Sequence, residues 1–314
     1  MPAVRRAGRA HAALAAVAAA SLWGTTGTAQ ALGPPGTDPV SVGAIRICIG
    51  ALVLVVLAAA AGSRSRAGSA RPVPVEPDRS RRAPVAVLLG LGGLAVAAYQ
   101  ACFFLGVERA GVAVGTVITL GLAPLATGAL GLLLGERLGG RWSVATAGAV
   151  LGVVLLVVGT AGASPVEPIG VAAAVGAALS YAGYTVAARG LLLRGVPGMT
   201  AMAGLFSIGA VVLSPALTRA DLSWLATGRG LAVALWLGVV ATGVSYVLFQ
   251  RGLAGLAAGT VATLSLAEPV TATLLGVLVL QERLSGLSAV GMALIVLALL
   301  LLAAPRRAAR PLVP

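Results

Sequence analysis

Apolar runs of about twenty residues, parted by short polar connections, repeat along the whole chain. Ten are read, at approximately 11–32, 39–61, 84–107, 111–134, 142–161, 168–189, 197–217, 229–250, 256–280 and 286–304. Each is close to the roughly 20 residues that carry a helix across a bilayer. Inside a bilayer only helices and closed barrels satisfy their own backbone. Runs of this length without strict alternation predict helices. The expectation is an all-α integral membrane protein with ten transmembrane helices. One connection is long: residues 62–83, "GSRSRAGSARPVPVEPDRSRRA", are polar and proline-rich and predict a loop. The first run has a rival reading. Its basic start, apolar middle and Ala29-Gln30-Ala31 end also fit a signal peptide.

Composition agrees with the pattern. Of 314 residues 59% are hydrophobic and 10% charged, with mean hydropathy +1.01; soluble domains carry roughly 25% charged residues. The net charge of +13 does not point to nucleic acid. No polar segment is large enough to form a reader domain, and basic and aromatic residues do not interleave. Every basic residue is arginine, and the arginines set an orientation. With the N-terminus inside, seventeen of the 22 fall in inner connections and tails. Only Arg109, Arg219, Arg229 and Arg283 fall outside, and Arg46 lies within the second run. Both termini are therefore expected in the cytoplasm, with the chain in the cell membrane.

Chemistry is limited by inventory. His11 is the only histidine, and Cys48 and Cys102 are lone thiols in apolar runs, so neither a metal site nor a disulfide framework is expected. Without lysine there is no Gly-Lys-Ser/Thr phosphate loop. Nine acidic residues, mostly in connections, make a membrane-embedded enzyme a poor reading. No catalytic residue and no cofactor is expected.

An internal repeat carries the strongest argument. "GTVITLGLAPLATGALGLLLGERLGG" (115–140) aligns with "GTVATLSLAEPVTATLLGVLVLQERLSG" (259–286). The copies share a Gly-Thr-Val start, a mid-span proline (Pro124, Pro269) and a Glu-Arg-Leu exit. Upstream, Gly111-x-x-x-Gly115 returns as Gly255-x-x-x-Gly259. Leu- and Ala-rich helices share leucine by chance; they do not share these three features in one order. Spans 4 and 9 are five spans apart and so run in opposite directions. The reading is two inverted five-helix repeats, the architecture that gives alternating access around a midplane site.

At this point the chain resembles the drug/metabolite transporter superfamily, in its ten-span form with two EamA domains. The carriers are Trp23-Gly24, Arg46, "GAALSYAGYTVAARGL" (176–191) and the paired Pro…Glu-Arg-Leu patterns. The resemblance covers residues 11–304. It implies EamA-like repeats at 11–161 and 168–304 and a central cavity between the halves; the arginine count puts the Arg/Pro-rich loop 62–83 on the cytoplasmic side. It also implies a carrier of small metabolites or drugs across a cell inner membrane. One departure stands out: Tyr181 and Tyr184 lie where the family often has tryptophan.

Several side chains are candidates for the mechanism. Glu268 stands mid-span, where a charge costs about 2.5–3.5 kcal/mol on insertion scales. It is read either as a proton or substrate-coupling group, or as a structural acceptor. The first copy has Ala123 before its proline, so the carboxylate belongs to one repeat only. Arg46 either snorkels or meets Glu268 or a substrate carboxylate; with both charges at one cavity, a zwitterion such as an amino acid fits. Pro124 and Pro269 are read as hinges or cavity lining. Trp23, Tyr99 and Tyr181 are candidate cavity walls, with Gln30, Gln100, Tyr184 and Tyr246 as further polar or aromatic groups. Glu136, Arg137, Glu282 and Arg283 are read as interfacial charges or as a gate. The expected function is a secondary transporter, an exporter, of small organic solutes by alternating access, with protons as the candidate coupling ion. The alternative is a lipid scramblase or a structural membrane subunit.

Overall fold

The computed structural model describes residues 2–67, 84–159 and 167–304. Among them there is no strand, and ten helices are long and apolar enough to cross a membrane. They are α1 (Gly8–Ala31), α2 (Pro39–Ser63), α3 (Val85–Val112), α4 (Val114–Leu133) and α5 (Gly140–Val158). The second half has α6 (Pro168–Leu193), α7 (Gly198–Leu217), α8 (Gly228–Gly255), α9 (Ala258–Leu278) and α10 (Gly286–Ala303). Every expected span is present, with ends displaced by a few residues. Of the expected loop 62–83, the first residues are helical, the helix running to Ala67; residues 68–83 lie outside the described residues.

The core is rich in small side chains, packed around large ones such as Phe206, Phe249 and Leu54. Ala16, Ala19, Ala20, Ala149, Ala174, Ala177 and Ala178 are fully buried. Lipid tails are as apolar as leucine, so burial of leucine drives nothing here. Small residues win because they let backbones approach and pack. Leucines and valines such as Leu14, Leu52, Leu133 and Val211 point outward instead, where lipid would meet them. The first run is part of this packing, lying against α8 and α9.

Helix pairing follows the repeat. α1 packs on α8 and α9, and α6 packs on α3 and α4. α2 packs on α7 and α8, and α7 packs on α2 and α3. α4 meets α9, and α5 meets α10. Exchanging each helix with the one five places along leaves this list unchanged, which is consistent with an inverted duplication. The GxxxG glycines sit at close approaches. A Cβ on Gly259 would lie 2.9 Å from Gly128 Cα, and one on Gly115 would lie 3.0 Å from the Gly106 carbonyl.

Gly111 makes the turn between α3 and α4 with no intervening loop. Its φ of 82° and ψ of 154° fall in a region open essentially to glycine alone. Gly111→Ala is expected to lower stability by about 1–3 kcal/mol, read as an earlier thermal unfolding transition of the purified protein. An unchanged transition would contradict this.

Candidate functional site

The two mid-span prolines have different consequences. Pro124 sits inside an unbroken helix. α9 stops at Leu264 and restarts at Ala267, just before Pro269. The difference is one residue: the first copy reads Ala123-Pro124, the second Ala267-Glu268-Pro269. The helix absorbs the extra residue in a tight turn. Leu266 N donates to Thr263 O at 3.1 Å and Glu268 N to Ser265 O at 3.0 Å. Pro269 has no N–H to compete for that carbonyl. Glu268 thus falls in the first turn of the restarted helix, where the dipole favours an anion by about 0.3–1 kcal/mol.

α1 holds this turn from behind. A Cβ on Gly24 would lie 2.5 Å from the Glu268 carbonyl oxygen and 2.7 Å from Thr271 Cβ. The neighbouring Trp23 is buried; its Nε1 donates to Ser245 Oγ at 2.9 Å, and its ring packs on Tyr246 and Phe249. Trp23 therefore ties α1 to α8.

In front of Glu268 the chain gathers all four of its tyrosines. Tyr99 from α3 has ring centroids 6.1 Å from Tyr181 and 6.2 Å from Tyr184, both on α6. Tyr184 OH and Tyr246 OH, on α6 and α8, are 3.1 Å apart. Tyr181 OH donates to Ser265 Oγ at 3.0 Å, in the break of α9. Ser265 Oγ in turn donates to Val261 O at 3.0 Å. Arg46 enters from α2, and its Nη2 reaches Gln100 Oε1 on α3 at 3.4 Å.

Two charged groups here have atoms that lack partners. The Arg46 Nε is sealed from solvent and has no hydrogen-bond partner. The Glu268 carboxylate takes no hydrogen bond or ion pair from any described residue, yet its oxygens are not sealed. Glu268 is surrounded by protein and is still only half-buried. Arg46 and Glu268 interact electrostatically with each other and with Tyr99 and Tyr246, but form no ion pair among the described residues. An opposed, unpaired guanidinium and carboxylate with aromatic walls can accept a ligand bearing both charges.

The remaining sequence candidates lie elsewhere. Pro124 is buried in α4. Arg137, Glu282 and Arg283 are exposed. Glu136 is half-buried and is paired with Arg189 of α6, 3.5 Å away, rather than with its neighbour Arg137. Arg189 lies in the 176–191 stretch that carries the family resemblance but is not read there as a candidate residue.

Two further features were not legible. Trp236–Val244 in α8 is a π-helical stretch, with Thr242 Oγ1 donating to Leu237 O, five residues back, at 2.8 Å. Such wide turns are frequent at functional sites, and this one sets Ser245 and Tyr246 toward Trp23. Trp224, in the connection before α8, is buried, and its Nε1 donates to Ser41 Oγ at 3.1 Å, covering one end of α2.

Known proteins resemble this chain over most of its length. The model of the EamA-like transporter family matches residues 11–158 and again 168–304. A Bacillus subtilis (strain 168) protein described as "Uncharacterized transporter YwfM" is 38% identical over 234 residues, covering 74% of this chain and 73% of that protein. A solved structure, titled only as the crystal structure of a protein, superposes with a TM-score of 0.74 at 24% identity. That match covers 92% of this chain and 95% of the other, and carries the fold alone.

Proposed function

The chain belongs to the EamA-like transporter family, and on that premise we propose that it carries a small zwitterionic organic solute by alternating access between Arg46 and Glu268. One observation supports this above the rest: the two charged side chains sit within the tyrosine-walled interior and leave each other unpaired. A buried charge without a partner is costly. A solute with one carboxylate and one ammonium satisfies both, whereas a solute of single charge leaves one exposed to low dielectric. The aromatic walls favour an apolar or flat body. In this reading Glu268 takes a proton when the solute leaves, so that its charge is never bare, and outward solute movement is exchanged for inward protons. The arginine asymmetry supports the cell membrane with both termini in the cytoplasm.

The test is purified protein in liposomes, with and without a pH gradient. The panel is neutral apolar and aromatic amino acids, their methyl esters, their N-acetyl forms, and sugars. Amino acids are expected to move at least roughly tenfold faster than either blocked form, the difference of one charge-assisted contact. Equal flux of the cationic esters would remove the paired-charge argument while leaving a transporter. No flux of any compound under either condition would count against transport itself.

A further inference from the structure

We propose that Glu136 and Arg189 form a lock that holds the arginine-rich face of the transporter closed. The two side chains grip the turn between α8 and α9 from both helix ends. Both Glu136 carboxylate oxygens accept from the N–H of Ala258, the first residue of α9, at 3.1 and 2.9 Å. Arg189 Nη1 donates to the carbonyls of Leu253 and Ala254, at the end of α8, at 2.5 and 3.3 Å. Each charge matches its helix end, the carboxylate at an N-terminus and the guanidinium at a C-terminus. Between them Arg189 Nε faces Glu136 Oε1 at 3.5 Å, an ion pair without a hydrogen bond, with side-chain exposures of only 20% and 14%. This pair is shielded, unlike the surface pairs that contribute little. Trp142 Nε1 adds a bond to Gly259 O at 3.0 Å, and Gly259 lies against Gly128 of α4. The start of α9 is thereby pinned to α4, α5 and α6.

The opposite face has the parts of such a lock without its bonds. Glu136 follows Gly135 (φ 86°) and its N–H bonds Gly131 O; Glu282 follows Gln281 (φ 58°) and its N–H bonds Gly276 O. The two turns are copies. Yet Glu282 is exposed, and its side chain has no hydrogen bond or ion pair among the described residues. The helix start that the repeat would assign to it, at α4, packs on Gly106 of α3 instead. The guanidinium has no counterpart either, because α1, the partner of α6 in the repeat, carries no arginine after Arg9. The opposite face does hold an ion pair, Arg109 Nη1 to Glu167 Oε2 at 3.4 Å between the end of α3 and the residue before α6, but its side chains are 48% and 51% exposed, so the shielded clamp is at one face only. Opening that face requires separating Glu136 from both Arg189 and α9, and the resting state is the one closed there.

Calling this a lock rests on the alternating-access reading, but its test needs no solute. Spin labels are placed at Leu134→Cys and Arg251→Cys, both exposed and on either side of the clamp, in a background lacking Cys48 and Cys102. Their distance distribution is read by pulsed electron resonance in lipid. The otherwise unmodified protein is expected to give one dominant short distance. Glu136→Gln and Arg189→Gln are each expected to add a longer population, raising the open-to-closed ratio roughly tenfold or more. Glu282→Gln is expected to leave the distribution unchanged. Should the Gln variants fail to fold, Glu136→Asp, which draws the carboxylate back by one methylene, is expected to add the longer population to a smaller extent. Distributions identical across the folded lock variants would overturn the lock. Absence of flux in the liposome panel with a shifted distribution would instead remove the transport reading and leave the lock standing.

Discussion

Replacing Glu268 by Gln is expected to reduce solute flux roughly tenfold to a hundredfold while leaving the protein folded. Both halves of this expectation follow from what surrounds the carboxylate. No described side chain or backbone group bonds to it, so the near-isosteric amide orphans no partner and breaks no network. The turn that presents it is made by backbone bonds at Ser265, Leu266 and Glu268 and by the missing N–H of Pro269, none of which depends on the side chain. The loss falls on the solute. A hydrogen bond to a charged group is worth about 1.5–3 kcal/mol, and in the proposed site Glu268 is the acidic group that meets an ammonium. Arg46 would at the same time lose its opposing charge and bind anions better than zwitterions. The coupling half of the proposal is tested on the same protein. Wild type should respond to an imposed pH gradient, Glu268→Asp should respond with reduced flux, and Glu268→Gln should be indifferent. Wild-type flux with wild-type pH response in the Gln variant would end the case for this carboxylate.

The spans were legible because lipid leaves so few options for a backbone. Apart from the signal-peptide reading of the first run, ten apolar runs read as ten helices, and the alignment of 115–140 with 259–286 made the two halves visible. The site was legible as an inventory but not as a place. Tyr99, Tyr181, Tyr184 and Tyr246 lie on three helices that meet only because glycines and alanines far apart in sequence allow it. Gly92, for example, lets α3 close on Leu205 of α7, and Gly106 lets α3 close on Ala174 of α6. No periodicity within one helix reports such meetings. The mid-span prolines were legible as a pair, yet their difference came from a single inserted residue that breaks α9 and leaves α4 whole. Arg189 was hidden for another reason. Counting arginines by side assigned it a topological role, and nothing in a count separates an arginine in headgroups from one buried against a helix end.

Gly24→Val is expected to cost both stability and flux, because this glycine is where α1 touches the turn that carries Glu268. The new Cβ would lie 2.5 Å from Glu268 O, 2.7 Å from Thr271 Cβ and 3.1 Å from Ala272 N. Two of these three atoms are backbone, so no rotamer change relieves the contact and one helix must move. α1 is the less free to do so. Trp23 is bonded to Ser245 and wedged between Tyr246 and Phe249, and Ala16 and Ala12 face Gly252 and Gly255 of α8 without a gap. The displacement therefore falls on α9, carrying Glu268 away from Arg46 and Ser265 away from Tyr181. Overpacking of this kind costs about 1–3 kcal/mol, a lower thermal unfolding temperature, and the moved carboxylate adds a loss of flux that stability alone does not explain. Gly24→Ala should act in the same direction. Gly27→Ala, one turn on and with nothing within 4 Å of its Cβ position, should change neither quantity. The readout is thermal unfolding in detergent beside flux in liposomes. A Gly24→Val protein that melts and transports like wild type would mean that α1 does not set the position of Glu268.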